Sequence, residues 1–305
     1  MMKQPDIHVI DLDFQGIPEV TAAYLVVGPK GPILIETGPG STLKTLLKKI
    51  QQLGFQPEEI KHVLVTHIHL DHAGAAGWWA QQGAQVYVHS FGAKHLINPE
   101  KLLASAGRIY GDKMDTLWGE MLPAPADKVT EVFDNDTLEI AGLTIKALET
   151  PGHARHHHVF VLGDVAFAGD AAAARLPGWG FPDVPAPPPE FELEVWEATL
   201  DRLLAQDFRR IYPTHFGPVE AVQEHLHMVK ALVRETAVFV QTNMQAGLSR
   251  DELVVVYENW FAQRAKAAGL TEAAIHQYAT ANPLYMSVDG IMRYWRKREQ
   301  ASQAG

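Results

Sequence analysis

One short stretch, Thr66-His67-Ile68-His69-Leu70-Asp71-His72, restricts this chain more than any other feature, because it stands directly behind the apolar run His62-Val63-Leu64-Val65. A short apolar run bounded by turn signals reads as a buried strand, so these side chains arrive at a strand end, beside the core. Imidazole and carboxylate are costly to remove from water unless something pairs with them. Three histidines and an aspartate in six residues exceed what packing explains, and a metal ion pairs with all four. The bland alternative is a polar surface loop. Nitrogen and oxygen donors of this kind suit zinc, iron or manganese. The His-x-His spacing predicts alternate residues at a strand end projecting to one side.

The chain of 305 residues contains no cysteine, so any metal must be held by His, Asp or Glu, and disulfides and a thiolate nucleophile are excluded. A hydrophobic content of 47% is that of a globular protein with a sizeable core. The formal charge of -10 argues against a general nucleic-acid binder, whose phosphate contacts need surplus Lys and Arg. The acidity is uneven: residues 1–217 carry 17 Lys+Arg against 27 Asp+Glu, and the remainder carries 9 of each. Bound divalent cations would offset part of it locally. No apolar run reaches bilayer length, and Met1-Met2-Lys3-Gln4-Pro5-Asp6 lacks an apolar signal core, so a cytoplasmic location is expected.

Short apolar strands open the chain at about 7–10, 22–27 and 33–35, with Gly28-Pro29-Lys30-Gly31-Pro32 as a hairpin connection. Ser41 is placed to cap a helix carrying Leu43, Leu46, Leu47, Ile50 and Leu53. A strand over about 61–65 then delivers the histidine motif at its C-terminal end, where α/β folds place their chemistry. Residues 91–122 read as interrupted helix, and strands resume near 129–133, 138–140, 143–148, 159–162 and 165–168. Residues 176–189 hold six prolines and two glycines, which predicts a loop or lid offering Trp179 and Phe181 to a pocket. A helix from about 190 to 205 precedes a last short strand at Arg210-Ile211-Tyr212. Beyond Pro218 the pattern is helical throughout, with breaks at Gly247, Gly269 and Asn282-Pro283. Two sheets packed face to face under outer helices follow from this order. Residues 1–218 read as a catalytic domain and 219–305 as an all-helical C-terminal module, with a basic cluster in its last helix.

His153, in Thr150-Pro151-Gly152-His153, stands at a strand edge or turn, as do Asp170 after Gly169 and His215 after Thr214. Singly, each has an ordinary explanation. Together with the opening motif they resemble, in order and in flanking residues, the metallo-β-lactamase superfamily, over roughly the first seven-tenths of the chain. The resemblance implies an α/β fold, a four-layer αβ/βα sandwich, with a two-metal site along one edge. It assigns His67, His69 and His153 to one metal and Asp71, His72 and His215 to the other, with Asp170 bridging. Glu36, Thr66 and Thr214 stand where they would orient ligands, and His157 matches a histidine often found four residues after the third metal-binding one. His156 and His158 read as structural or surface residues.

Within the superfamily, His69 argues against flavodiiron-type oxygen reduction, whose members carry Glu there. Absence of a basic insertion argues against the nucleases, and Asp71 without cysteine argues against the secreted β-lactamases. The pattern is most similar to the glyoxalase II and lactonase branch, whose glyoxalase members also carry a helical C-terminal part. No tyrosine lies between Asp170 and Tyr212, where lactonases often place one, which favours a thioester over a lactone. The implied cofactors are two divalent ions, zinc first, with iron or manganese admitted by the same donors. A metal-bridging hydroxide would attack the acyl carbonyl, with Asp71 and Asp170 as catalytic carboxylates. The expected partner is a small-molecule acyl substrate, with no nucleic acid and no membrane, and homo-oligomerisation is left open. Candidate pocket residues are Tyr110, Met114, Trp118, Trp179, Phe181, Tyr212 and Phe216. Two other readings stand beside this one. The first is a mononuclear iron persulfide dioxygenase using His67 or His69 with His153 and Asp170. The second is a non-enzymatic metal-binding scaffold.

Overall fold

The structure, a computed structural model, describes residues 5–304, with side chains through Gln303. Residues 1–4 of the stretch Met1-Met2-Lys3-Gln4-Pro5-Asp6, on which the expected location rests, lie outside the described residues. Two compact units emerge from the packing: Met1–Glu149 with His156–Gly169, and Thr150–Arg155 with Asp170–Gly305.

The first unit contains two sheets. In the larger, strands β1 (Asp6–Asp11), β2 (Ala22–Gly28) and β3 (Gly31–Ile35) pair antiparallel. Gly28 faces Gly31 across the two-residue turn Pro29-Lys30, and a Cβ on Gly28 would lie 2.6 Å from the Ala141 carbonyl oxygen. Helix α1 (Leu43–Gln52) then carries the chain back over the sheet, as a parallel connection requires. Its buried Leu46 and Ile50 each contribute about 1.5–3 kcal/mol. Strand β4 (His62–Leu64) pairs parallel with β3. Helices α2 (Leu70–Ala73) and α3 (Ala76–Gln81) lead to β5 (Gln85–His89), parallel to β4. The interrupted helical stretch resolves into α4 (Ser90–Ile97), α5 (Glu100–Tyr110) and α6 (Met114–Leu117) before β6 (Val129–Val132) closes the sheet beside β5.

In the second sheet, β7 (Thr137–Ile140), β8 (Leu143–Glu149), β9 (His158–Leu162) and β10 (Val165–Phe167) form an antiparallel meander. Its turns use Ala141-Gly142, both at positive φ, and Gly163-Asp164. The sheets meet through apolar side chains, with the Tyr24 and Phe167 rings 5.5 Å apart. This is the mixed α/β, two-sheet arrangement expected from the strand pattern.

The second unit holds α7 (Leu193–Leu204), β11 (Arg210–Tyr212) and four helices, α8 (Val222–Gln245), α9 (Arg250–Ala267), α10 (Glu272–Ala281) and α11 (Leu284–Ala304). Helix α8 buries Leu226, Val229, Val233, Ala237 and Val240, spaced three and four apart on one face. Ser249 and Glu252 form a capping box on α9, and the Thr271 hydroxyl accepts from the Ala274 amide at the start of α10. Among the described residues, no helix is long and apolar enough to cross a membrane.

Two local expectations are corrected. Helix α1 starts after a tight turn at residues 40–42, so Ser41 does not cap it; its hydroxyl donates to the Leu117 carbonyl at 2.6 Å instead. Strand β4 ends at Leu64, so His67 and His69 stand on the turn into α2 and not on alternate positions of a strand.

Candidate metal centre

Glu36 organises the histidine motif. It follows β3 in a left-handed conformation, φ 63°, with its amide bonded to the Leu64 carbonyl and its carboxylate buried. The Thr66 hydroxyl donates to Glu36 Oε1 at 2.5 Å, and His72 Nδ1 lies 3.2 Å from the same oxygen. A carboxylate accepts, so His72 carries its hydrogen on Nδ1 and leaves a lone pair on Nε2. The Thr66 hydrogen is committed to Glu36, which makes the Thr66 oxygen the acceptor for His67 Nδ1 at 3.1 Å. His67 therefore also presents an Nε2 lone pair, and His69 Nδ1 stands 2.9 Å from that atom. The His67 and His72 ring centroids are 3.9 Å apart, and Asp71 Oδ2 is 3.7 Å from His72 Nε2. All four donors of the motif are thus drawn together at the start of α2.

Behind them lies the run His156-His157-His158, all of it buried. The His158 amide bonds the Thr66 carbonyl at 2.7 Å, and His157 packs on His67 with centroids 4.9 Å apart. A Cβ on Gly169 would fall 2.5 Å from both His157 Nε2 and Thr66 Oγ1, so this close approach requires glycine. His158 stacks on His89 at 4.5 Å, and His89 Nε2 is 2.9 Å from Glu149. His156 and His158 are interior residues.

In the second unit, His153, Asp170 and His215 converge. His153 Nε2 is 3.3 Å from Asp170 Oδ2, and His215 Nε2 is 3.7 Å from Asp170 Oδ1. His153 Nδ1 lies 2.8 Å from the Pro185 carbonyl oxygen. A carbonyl only accepts, so the hydrogen is on Nδ1. The lone pair of Nε2 then faces a carboxylate oxygen, an arrangement that needs a cation between the two, either a proton or a metal ion.

Trp196 on α7 ties two of these residues together. Its indole N–H donates to the Ala171 carbonyl at 2.9 Å, next to Asp170, and its ring stands edge-on to His153 at 5.7 Å. Gly152, at φ 131°, packs so closely on Trp196 that a Cβ would lie 2.3 Å from the Trp196 Cα. The Thr199 hydroxyl holds the Pro151 carbonyl at 2.6 Å. On the other side, His225 of α8 donates from Nε2 to the Ala172 carbonyl at 2.8 Å, and burial pushes its pKa down to about 4.

The donor set contains only imidazole nitrogens and carboxylate oxygens, and three of its histidines, His67, His72 and His153, have hydrogens assigned away from the inner face. That set fits a zinc, iron or manganese ion. His67, His69, Asp71 and His72 come together within the first unit, and His153, Asp170 and His215 within the second. Trp196, His225 and the Pro185 carbonyl went unread in the sequence, since a backbone acceptor carries no residue signature. Two of the expected pocket aromatics pack on other rings. Trp118 stacks on Phe14 at 5.6 Å, and Phe181 meets Phe261 and Tyr278 edge-on at 5.7 and 5.5 Å.

Comparison with known proteins agrees with this chemistry. Residues 16–215 match the family model described as the metallo-beta-lactamase superfamily. The metallo-beta-lactamase fold-containing protein ST1585 of Sulfurisphaera tokodaii is 27% identical over 245 residues, 79% of this chain and 88% of that protein. The crystal structure of ST1585 superposes with a TM-score of 0.67 at 21% identity, covering 95% of this chain and 99% of that one. Two shorter matches are an atrochrysone carboxyl ACP thioesterase of Aspergillus fumigatus and the N-acyl homoserine lactonase AttM of Agrobacterium fabrum. The thioesterase is 28% identical over 49% of this chain and 29% of its own length, and the lactonase 31% over 37% and 40%.

Proposed function

Because the chain belongs to the metallo-beta-lactamase superfamily of metal-dependent hydrolases, we propose that it hydrolyses an ester-like acyl bond with two divalent ions, a thioester in preference to a lactone. We place it with the glyoxalase II and lactonase branch. In this reading His67, His69 and His153 hold one ion, Asp71, His72 and His215 hold the other, and Asp170 serves both. Zinc is the first choice among ions that accept these donors.

One observation carries the reading. His153 is fixed with its hydrogen toward Pro185 and its Nε2 lone pair toward the Asp170 carboxylate. A carboxylate and an unprotonated imidazole held 3.3 Å apart are poised for a shared cation. Glu36 and Thr66 impose the same tautomer on His67 and His72. Ions held by such a set would lower the pKa of water to about 7 and polarise a substrate carbonyl. Asp71 and Asp170 are the carboxylates positioned to steer or accept the proton released on attack. The thioesterase and lactonase among the relatives support an acyl substrate.

Metal analysis of the purified protein, followed by anaerobic assay against panels of thioesters and lactones, tests the proposal. Two metals per chain and thioester hydrolysis are expected, and Asp170→Ala loses both bound metal and turnover. One iron per chain with oxygen uptake, or full activity in metal-depleted Asp170→Ala protein, would overturn it.

A further inference from the structure

The segment after Asp170 and Ala171 runs through residues 176–189 with six prolines, which lack the N–H that would bind it into a sheet. Its regular pairing is limited to an isolated bridge between Ala174 and Asp183. The Pro185 carbonyl that meets His153 belongs to this segment. What aims that carbonyl comes from the helices about a hundred residues further on. Ser287 of α11 is fully buried; its hydroxyl accepts from the Ala186 amide at 3.2 Å and lies 3.1 Å from the Val184 carbonyl. Asn282, between α10 and α11, donates from Nδ2 to Asp183 Oδ2 at 2.8 Å and to the Val184 carbonyl at 3.2 Å. The residues on both sides of Pro185 are therefore held by the same pair of polar side chains. Helix α11 also rests directly on the segment: a Cβ on Gly290 would lie 2.0 Å from the Ala186 carbonyl oxygen.

We propose that Ser287 and Asn282 are positioning residues through which the C-terminal helices hold the Pro185 carbonyl on His153 Nδ1 and so fix the imidazole tautomer that binds metal. This rests on the reading of His153 as a metal ligand. It gives the C-terminal helices a defined part in the centre: they supply its outer hydrogen bonds. A buried serine and a buried asparagine in a helical interior are costly unless their hydrogen bonds are made. Here those bonds converge on one backbone turn. The expected tautomer at His67 is set through Thr66 and Glu36 rather than through Ser287 and Asn282, so it serves as an internal control.

The test uses full-length, metal-free protein labelled with 15N-histidine, examined by NMR for the tautomer of each ring, and then titrated with zinc against a chelator. Wild-type His153 should show a protonated Nδ1 throughout, with the cation between Nε2 and Asp170 being a proton before zinc is added and zinc afterwards. In Ser287→Ala and Asn282→Ala the His153 signals should move toward a tautomer mixture while His67 keeps its own pattern. Zinc affinity should fall, by at most the roughly 10- to 100-fold that losing the outer hydrogen bond itself would cost. Ser287→Thr, which keeps the hydroxyl, should restore both readouts, and Ser287→Cys, a milder change, should give an intermediate shift. An unchanged His153 tautomer in folded Ser287→Ala and Asn282→Ala proteins, or equal disturbance of His153 and His67, overturns the proposal. A wild-type protein that binds no zinc while its His153 tautomer still responds to Ser287 refutes the metal reading and leaves the positioning role supported.

Discussion

His225 makes the acid stability of this protein a quantitative test of the structure. Its ring is fully buried on α8, with Nε2 donating to the Ala172 carbonyl and Nδ1 without a partner. A second proton on Nδ1 would place an unsolvated charge there, with Arg175 near enough to oppose it, and the pKa falls to about 4 from an ordinary 6.5. A histidine whose folded pKa is depressed contributes stability that is present above the unfolded value and lost as pH falls through the folded one. The loss attributable to His225 is about 2 kcal/mol at pH 5 and about 3 kcal/mol at pH 4, relative to pH 7.5. His225→Gln keeps an N–H for the Ala172 carbonyl and removes the titration. Urea unfolding of both proteins, metal-free, between pH 7.5 and 4.5 measures the effect as the gap between the two stability curves. Asp183 acts oppositely, since burial raises its pKa to about 6 and its contribution is lost as pH rises through that value. It is common to both proteins and cancels in the gap. A gap that stays constant from pH 7.5 to 5 would refute the assignment of His225 as a buried neutral ring.

Three further outcomes follow from the same geometry. Gly152→Ala forces a Cβ to within 2.3 Å of the Trp196 backbone at a φ that side chains avoid; a loss of about 3 kcal/mol or more is expected in chemical denaturation, and an unchanged midpoint would contradict the packing. Glu36→Ala leaves the Thr66 hydroxyl and His72 Nδ1 without their buried acceptor, which should cost about 1–3 kcal/mol for each donor and lower the metal retained after dialysis. Tyr278→Phe removes the hydroxyl that accepts from the Leu176 amide and donates to the Phe181 carbonyl; calorimetry should register a loss of about 1–3 kcal/mol, and hydrogen exchange should accelerate at Leu176.

The strands and their connections were legible because their causes are local. Alternating or continuous apolar runs, Gly28 and Gly31 around a two-residue turn, and the break at Asn282-Pro283 all act within a few residues of where they stand. The donor chemistry was equally legible, since a chain without cysteine has few ways to justify histidines and aspartates at strand ends. Ser41 misled because a competing acceptor, the Leu117 carbonyl, comes from 76 residues away. The proline-rich stretch read as a loop or lid, and its backbone is pinned by Tyr278, Asn282 and Ser287. Prolines announce that a segment cannot join a sheet, and they are silent about what will hold it.

By itself, then, the sequence determined which elements form and which side chains are fit to bind a metal, because propensity and ligand chemistry belong to single residues and their neighbours. Only the tertiary structure decided how those side chains are protonated and aimed. The Glu36 carboxylate sets His72 and, through Thr66, His67, while a carbonyl from a proline-rich turn sets His153. A hydrogen bond to one imidazole nitrogen fixes the other, and its donor and acceptor meet only once distant segments have packed.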